Sequence, residues 1–212
     1  MKANKYLNTS ILTQNSKLKK TSKETGYKVF NFGIPAYKTQ SGKITCPFAD
    51  KCIKFCYAQK GAYSWSNVQP AFEKRYQLTK DKNFVSLMVS AIKAKKVDFL
   101  RVHDSGDYYS TKYLLDWFDI ANQLPNVIFY SYTNSIKIVK DNEQHKPQNF
   151  SFIFSDSGKQ VNLVNKDVDR FTRIFKSETE LKEAGFVNAS KVDLFASKHY
   201  NKTNNKIGLI YH

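Results

Sequence analysis

Three cysteines, Cys46, Cys52 and Cys56, are the only thiols in the chain, and they lie within eleven residues of one another. Cysteines scattered at random rarely cluster so tightly. Three thiolates on one short loop form a soft donor set suited to zinc, copper(I) or an iron–sulfur cluster. Ligand count separates these. A closed zinc site takes four ligands, so zinc needs one more from elsewhere, and His103 is the nearest candidate. A [4Fe-4S] cluster on three cysteines leaves one iron open to a substrate or cofactor. Phe48, Phe55 and Tyr57 stand beside the cysteines, where they can shield a cluster from water and so tune its potential. The plainest alternative is that the cysteines are small buried hydrophobes.

A second constellation runs Arg101-Val102-His103-Asp104-Ser105-Gly106-Asp107. It follows a strand pattern, and in α/β sheets ligands bind at the carboxyl ends of strands. A guanidinium, an imidazole, two carboxylates and a glycine meet there. His103 is suited to metal binding or proton transfer, Asp107 to holding an amine or hydroxyl, and Gly106 to close approach of backbone to a ligand. Two further strand ends are rich in small polar groups: Ser131-Tyr132-Thr133-Asn134 and Ser155-Asp156-Ser157-Gly158. Together they suggest one lined mouth. The cofactor-binding candidates are Arg101, His103, Ser105, Gly106, Asp107, Tyr132 and Asn134. The competing reading is an ordinary polar β-α turn with Ser110 capping the next helix. His145, His199 and His212 lie in polar stretches and read as surface residues.

The elements that must position these groups alternate. Val29 to Pro35, Val97 to Val102, Val127 to Tyr132, Phe150 to Phe154, Val192 to Ala196 and Ile207 to Tyr211 have strand patterns. Between them, Phe84, Leu87, Met88, Ala91 and Ile92 form one helical face after Asp81, and Tyr113, Leu114, Trp117, Phe118 and Ala121 another. A shorter helix over 178–184 ends at Gly185. The alternation predicts an α/β fold: a partial, open β/α barrel with a mostly parallel sheet of about six strands. Residues 1–26, rich in Lys, Asn, Ser and Thr, read as a basic irregular N-terminal arm. Residues 27–212 read as a single α/β domain whose cysteine-rich loop spans 44–61.

Lys and Arg number 34 against 18 Asp and Glu, a net charge of +16 over 212 residues. Such a surface suits polyanions such as nucleic acid, although a lysine-rich bias that only aids solubility gives the same balance. No apolar run is long enough to span a membrane. The stretch Met1 to Lys20 lacks the apolar region of a secretory signal. The expectation is a cytoplasmic protein, with its thiols kept reduced.

Several of these runs occur together in one known family. Phe32-Gly33-Ile34-Pro35-Ala36, Thr45-Cys46-Pro47-Phe48-Ala49, Cys52 to Cys56-Tyr57-Ala58, Arg101 to Asp107 and Phe129-Tyr130-Ser131-Tyr132-Thr133 resemble the phage "gene product 88" family over about residues 15–160. That family occurs in bacteriophages and mobile elements, and its members have been thought to bind iron–sulfur clusters. More distantly, the chain is similar to radical S-adenosylmethionine enzymes, which hold a four-iron cluster on three cysteines after a first strand. The resemblance implies Cys46, Cys52 and Cys56 as cluster ligands. It also implies that Ser105-Gly106-Asp107 take the place of the stretch that contacts the cofactor's amino group. The spacing here is Cys-x5-Cys-x3-Cys, whereas the radical enzymes commonly show Cys-x3-Cys-x2-Cys, and no Gly-Gly-Glu-type sequence is present. The expected function is therefore a phage or mobile-element iron–sulfur protein, in host cytoplasm, of radical S-adenosylmethionine type. The alternatives are a basic nucleic-acid-binding protein of replication or host takeover with a structural metal, and a zinc-stabilised module that binds a host protein.

Overall fold

The computed structural model describes residues 10–211, with the Phe55 side chain also outside the described set. Among the described residues, seven strands form one sheet: β1 (Val29–Phe32), β2 (Phe99–Val102), β3 (Ile128–Thr133), β4 (Phe150–Ser155), β5 (Phe171–Phe175), β6 (Val187–Asn188) and β7 (Lys206–Ile210). Their order across the sheet is β1-β2-β3-β4-β5-β7-β6, and every pairing is parallel. The sheet curls into an open half-barrel. Helices α2 (Gln69–Leu78), α3 (Phe84–Lys95), α4 (Thr111–Asn122), α5 (Ile136–Lys140) and α6 (Glu178–Glu183) lie along the chain between strands. Parallel strands require such crossovers, which explains the strand–helix alternation.

Strand side chains alternate between two faces. Phe32, Val102, Phe129, Phe152 and Phe171 join residues of α2 to α6 in the larger core. There Trp117 of α4 is fully buried, edge-on to Phe32 and Phe84. Each such aromatic contributes roughly 1.5–3 kcal/mol by leaving water. The other face carries Val29, Phe99, Tyr130, Ile153 and Ile207, which pack with Leu18, Leu194 and Ala196.

Two expectations change on that second face. The segment ending at residue 26 is not irregular where it is described: Ser16–Thr25 form a helix, α1. Asn15 caps it by accepting from the Leu18 amide, and Gly26 ends it at φ 77°. Leu18 and Thr21 are fully buried against the sheet. With one large apolar residue on its face, this helix is held by tertiary contact, so its composition alone reads as loop. Residues 1–9 of the expected arm lie outside the described residues. The expected strand at 192–196 is instead a single 3-10 turn, Asp193–Ala196. It plugs the sheet's inner face and does not add to its edge. The strands Phe171–Phe175 and Val187–Asn188 complete the sheet in its place.

Candidate metal and cofactor site

The cysteine segment follows β1 and leads into α2 as a string of short 3-10 turns, Lys51–Phe55, Tyr57–Gln59 and Gly61–Ser64. Cys46, Cys52 and Cys56 are each half-buried and unbonded to one another. All three line one open cavity at the carboxyl ends of the strands. Arg101, His103, Ser105, Gly106, Asp107, Tyr132 and Asn134 line the same cavity. Ser155 and Asp156, from the third polar strand end, line it as well.

Amide donors face the sulfurs. The Tyr37 N–H donates to Cys46 Sγ at 3.3 Å, from a residue held at φ 63°. Asn134 Nδ2 stands 3.8 Å from Cys52 Sγ. The amides of Ala58 and Gln59 favour the thiolate of Cys56. Burial nonetheless pushes all three thiols up, most strongly Cys46, which Asp107 raises further. A bound cation would supply the positive charge that these thiolates lack. Among the described residues, no three His, Cys, Asp or Glu side chains stand close enough together to share one metal ion.

The polar strand ends have more exact roles than their sequence suggested. Asp107 is buried, and its two oxygens accept from Thr133 Oγ1 at 2.6 Å and the Asn134 N–H at 2.8 Å. Burial lifts its pKa to about 6 against the pull of these bonds. Asp107 thus braces the end of β3 and aims Asn134 at Cys52. Asn134 is also wedged from behind, where a Cβ on Gly158 would lie 2.2 Å from its Oδ1. Gly106 adopts φ 83°, and a Cβ there would lie 2.2 Å from Ile34 Cγ1. A side chain there would collide with Ile34, so packing requires the glycine, which also lines the cavity.

The His103 ring is held by its neighbours. Its Nε2 shares a hydrogen bond with the Tyr113 hydroxyl at 2.9 Å, and its ring packs edge-on to Tyr108. Burial, and then the charge of Arg101, lower its pKa to about 3. It stays neutral near pH 7 and has little basicity for moving protons. Nε2 is engaged by Tyr113, and Nδ1 is left without a hydrogen-bond partner among the described residues. Its backbone sits at φ 68°, a region costly for non-glycine residues and typical of functional sites.

A family model described as Gene product 88 matches residues 9–212. The chain belongs to the gene product 88 family. No match was found among curated proteins or among solved structures. In this gene product 88 chain, sequence reasoning missed the group that ties the cavity to the barrel interior. Asp193 is fully buried and accepts from Arg101 Nη1 at 3.1 Å, Tyr130 OH at 2.6 Å and Lys17 Nζ at 2.5 Å. Burial alone would raise its pKa, yet Arg101 and Lys17 hold it down to about 2. Arg101 in turn lies over the Tyr132 ring at 4.7 Å and donates from Nη2 to the Tyr57 hydroxyl at 3.2 Å. That hydroxyl donates to the Asp104 carbonyl at 2.5 Å. The signal in the sequence was a lone acid inside the apolar run 192–196, since a buried acid needs a partner.

Five cavity-lining residues keep a buried polar atom with no hydrogen-bond partner among the described residues: Arg101 Nε, His103 Nδ1, Asp104 Oδ1, Tyr132 OH and Asn134 Oδ1. Two of these atoms lie against glycines, Asp104 Oδ1 at Gly33 and Asn134 Oδ1 at Gly158, and the other three, Arg101 Nε, His103 Nδ1 and Tyr132 OH, are left to a polar partner. The thiols fit a metal group by their chemistry, and the orphaned atoms fit a small polar molecule beside it.

Proposed function

We propose that this gene product 88 protein binds a [4Fe-4S] cluster on Cys46, Cys52 and Cys56. Beside it the cavity takes a small zwitterion of the S-adenosylmethionine kind, in the manner of a radical S-adenosylmethionine enzyme. The observation that carries this reading is that three thiols and the polar ends of β2 and β3 line one cavity. When bound, such a cluster supplies single electrons and an open iron site.

The chain's own residues have definable work in this reading. Cys46, Cys52 and Cys56 would hold the irons. The Tyr37 N–H and Asn134 Nδ2 donate toward the sulfurs, which stabilises extra negative charge there and raises the potential. Arg101 Nε and Tyr132 OH are free donors suited to a carboxylate. Asp107 positions Asn134.

Anaerobic reconstitution with iron and sulfide tests the first half. The expected product is brown, with about four irons and four sulfides per chain and absorption near about 400 nm. A colourless protein holding only zinc would refute the cluster. Cleavage of S-adenosylmethionine on reduction tests the second half, and its absence with an intact cluster would leave a cluster binder without that activity.

A further inference from the structure

The cysteine segment carries a charge pattern that the cavity does not require. Lys38, Lys43, Lys51, Lys54 and Lys60 are exposed between residues 38 and 60, where Asp50 is the sole acid. None of the five forms an ion pair among the described residues. Lysines on several helices differ, since Lys112, Lys137 and Lys182 each face an acid one turn away. Lys51, Lys54 and Lys60 alternate along the chain with the cavity-lining Cys52, Cys56 and Tyr57, so their charge borders the mouth.

Two exposed aromatics stand in or beside this run, Tyr57 between Lys54 and Lys60 and Trp65 after Lys60. Trp65 leaves 60% of its surface bare and Tyr57 53%. Tyr57 is also fixed in place, with its hydroxyl bonded to Asp104 and Arg101 and its ring edge-on to Tyr63. A rigid, half-bare aromatic is a ready stacking platform. From Tyr57 and Arg101 a groove continues past Tyr63 to Lys17, whose charge is met by Asp193.

We propose that this surface binds single-stranded nucleic acid, with phosphates on the lysines and a base stacked on Tyr57 at the cavity mouth. Unpaired lysines explain affinity for a polyanion, and exposed aromatics beside them favour bases over an acidic polypeptide, which has no planar faces to stack. The surface stands whatever metal the cavity holds.

The test is fluorescence anisotropy of the full chain with a labelled oligothymidine of about twelve nucleotides, titrated with salt. The triple variant Lys51→Gln, Lys54→Gln, Lys60→Gln should weaken binding at least ~10-fold near 0.1 M salt and flatten the logarithmic salt slope by about 2, at ~0.7 per phosphate contact. The control triple Lys112→Gln, Lys137→Gln, Lys182→Gln makes the same change in net charge and should weaken binding less than about twofold, since those lysines are solvated or paired. Trp65→Ala should weaken it about tenfold through lost stacking. Circular dichroism of each variant checks the fold. Equal loss in both triples, no binding at low salt, preference for duplex, or equal competition by poly-glutamate would each overturn the proposal.

Discussion

Replacing Asp193 by asparagine probes the charge at the centre of the half-barrel while keeping side-chain shape. Asp193 is fully buried and is the counterion of both Arg101 and Lys17. The variant leaves the buried guanidinium without its partner, and breaking a buried pair in this way costs ~3–5 kcal/mol. The titration gives a second estimate. A carboxyl held down to about 2, from an ordinary 3.8, stabilises the folded state by ~2 kcal/mol. Its pKa is depressed on folding, so this contribution is present above about pH 4 and is lost as pH falls toward 2. Urea unfolding at pH 7 should therefore show Asp193→Asn less stable by roughly 2–5 kcal/mol. The acid-dependent loss of stability between about pH 4 and 2 should shrink in the variant by ~2 kcal/mol. Because Arg101 also donates to Tyr57, amides of the cysteine segment should exchange faster in the variant. A loss under ~0.5 kcal/mol, within the range of ordinary surface changes, would refute the view that this network holds the barrel interior together.

Other perturbations read other parts of the site. Gly106→Ala combines a φ of 83° with a 2.2 Å approach to Ile34 and should lower stability by ~2–4 kcal/mol in thermal or urea unfolding; a neutral result would mean that this turn relaxes freely. Single Cys→Ser variants should keep their far-ultraviolet circular dichroism and lose most reconstituted iron by elemental analysis; unfolding would instead indicate a structural metal. His103, buried neutral with its pKa lowered to about 3, makes the fold lose stability as pH falls below about 6.5, where the unfolded chain takes up the proton. Asp107, lifted to about 6, acts in the opposite sense, its contribution growing as pH falls. In an Asp107→Asn background, urea unfolding should thus show stability dropping from pH 7 to 5, and His103→Gln should flatten that slope. A flat profile without the second change would contradict the neutral, buried histidine.

Local pattern carried much of this fold. Alternating apolar runs announced the parallel sheet, because a strand buried on both faces and an amphipathic crossover helix each have their own period. Ser110 was legible as the cap of α4, and its hydroxyl does accept from the Tyr113 amide. The failures lie where distant residues decide. α1 has too little apolar face of its own and forms because Leu18 enters the sheet's inner core. The run 192–196 has a strand's composition, yet Asp193 is pulled inward by Arg101 and Tyr130, and a short turn is the geometry that delivers it.

The same division holds at the site. The donor set, three thiols on one loop and polar residues after successive strands, was legible from residue type and spacing, which are local properties. What each of those groups faces was set by packing between distant segments. The fold brought the thiols and both strand ends to one cavity because parallel strands place all their carboxyl ends at one edge. It turned His103 onto Tyr113, spent both Asp107 oxygens on bracing β3, and made Gly106 a packing residue against Ile34. Those outcomes depend on hydrogen bonds and close contacts between segments tens of residues apart, which no local pattern encodes.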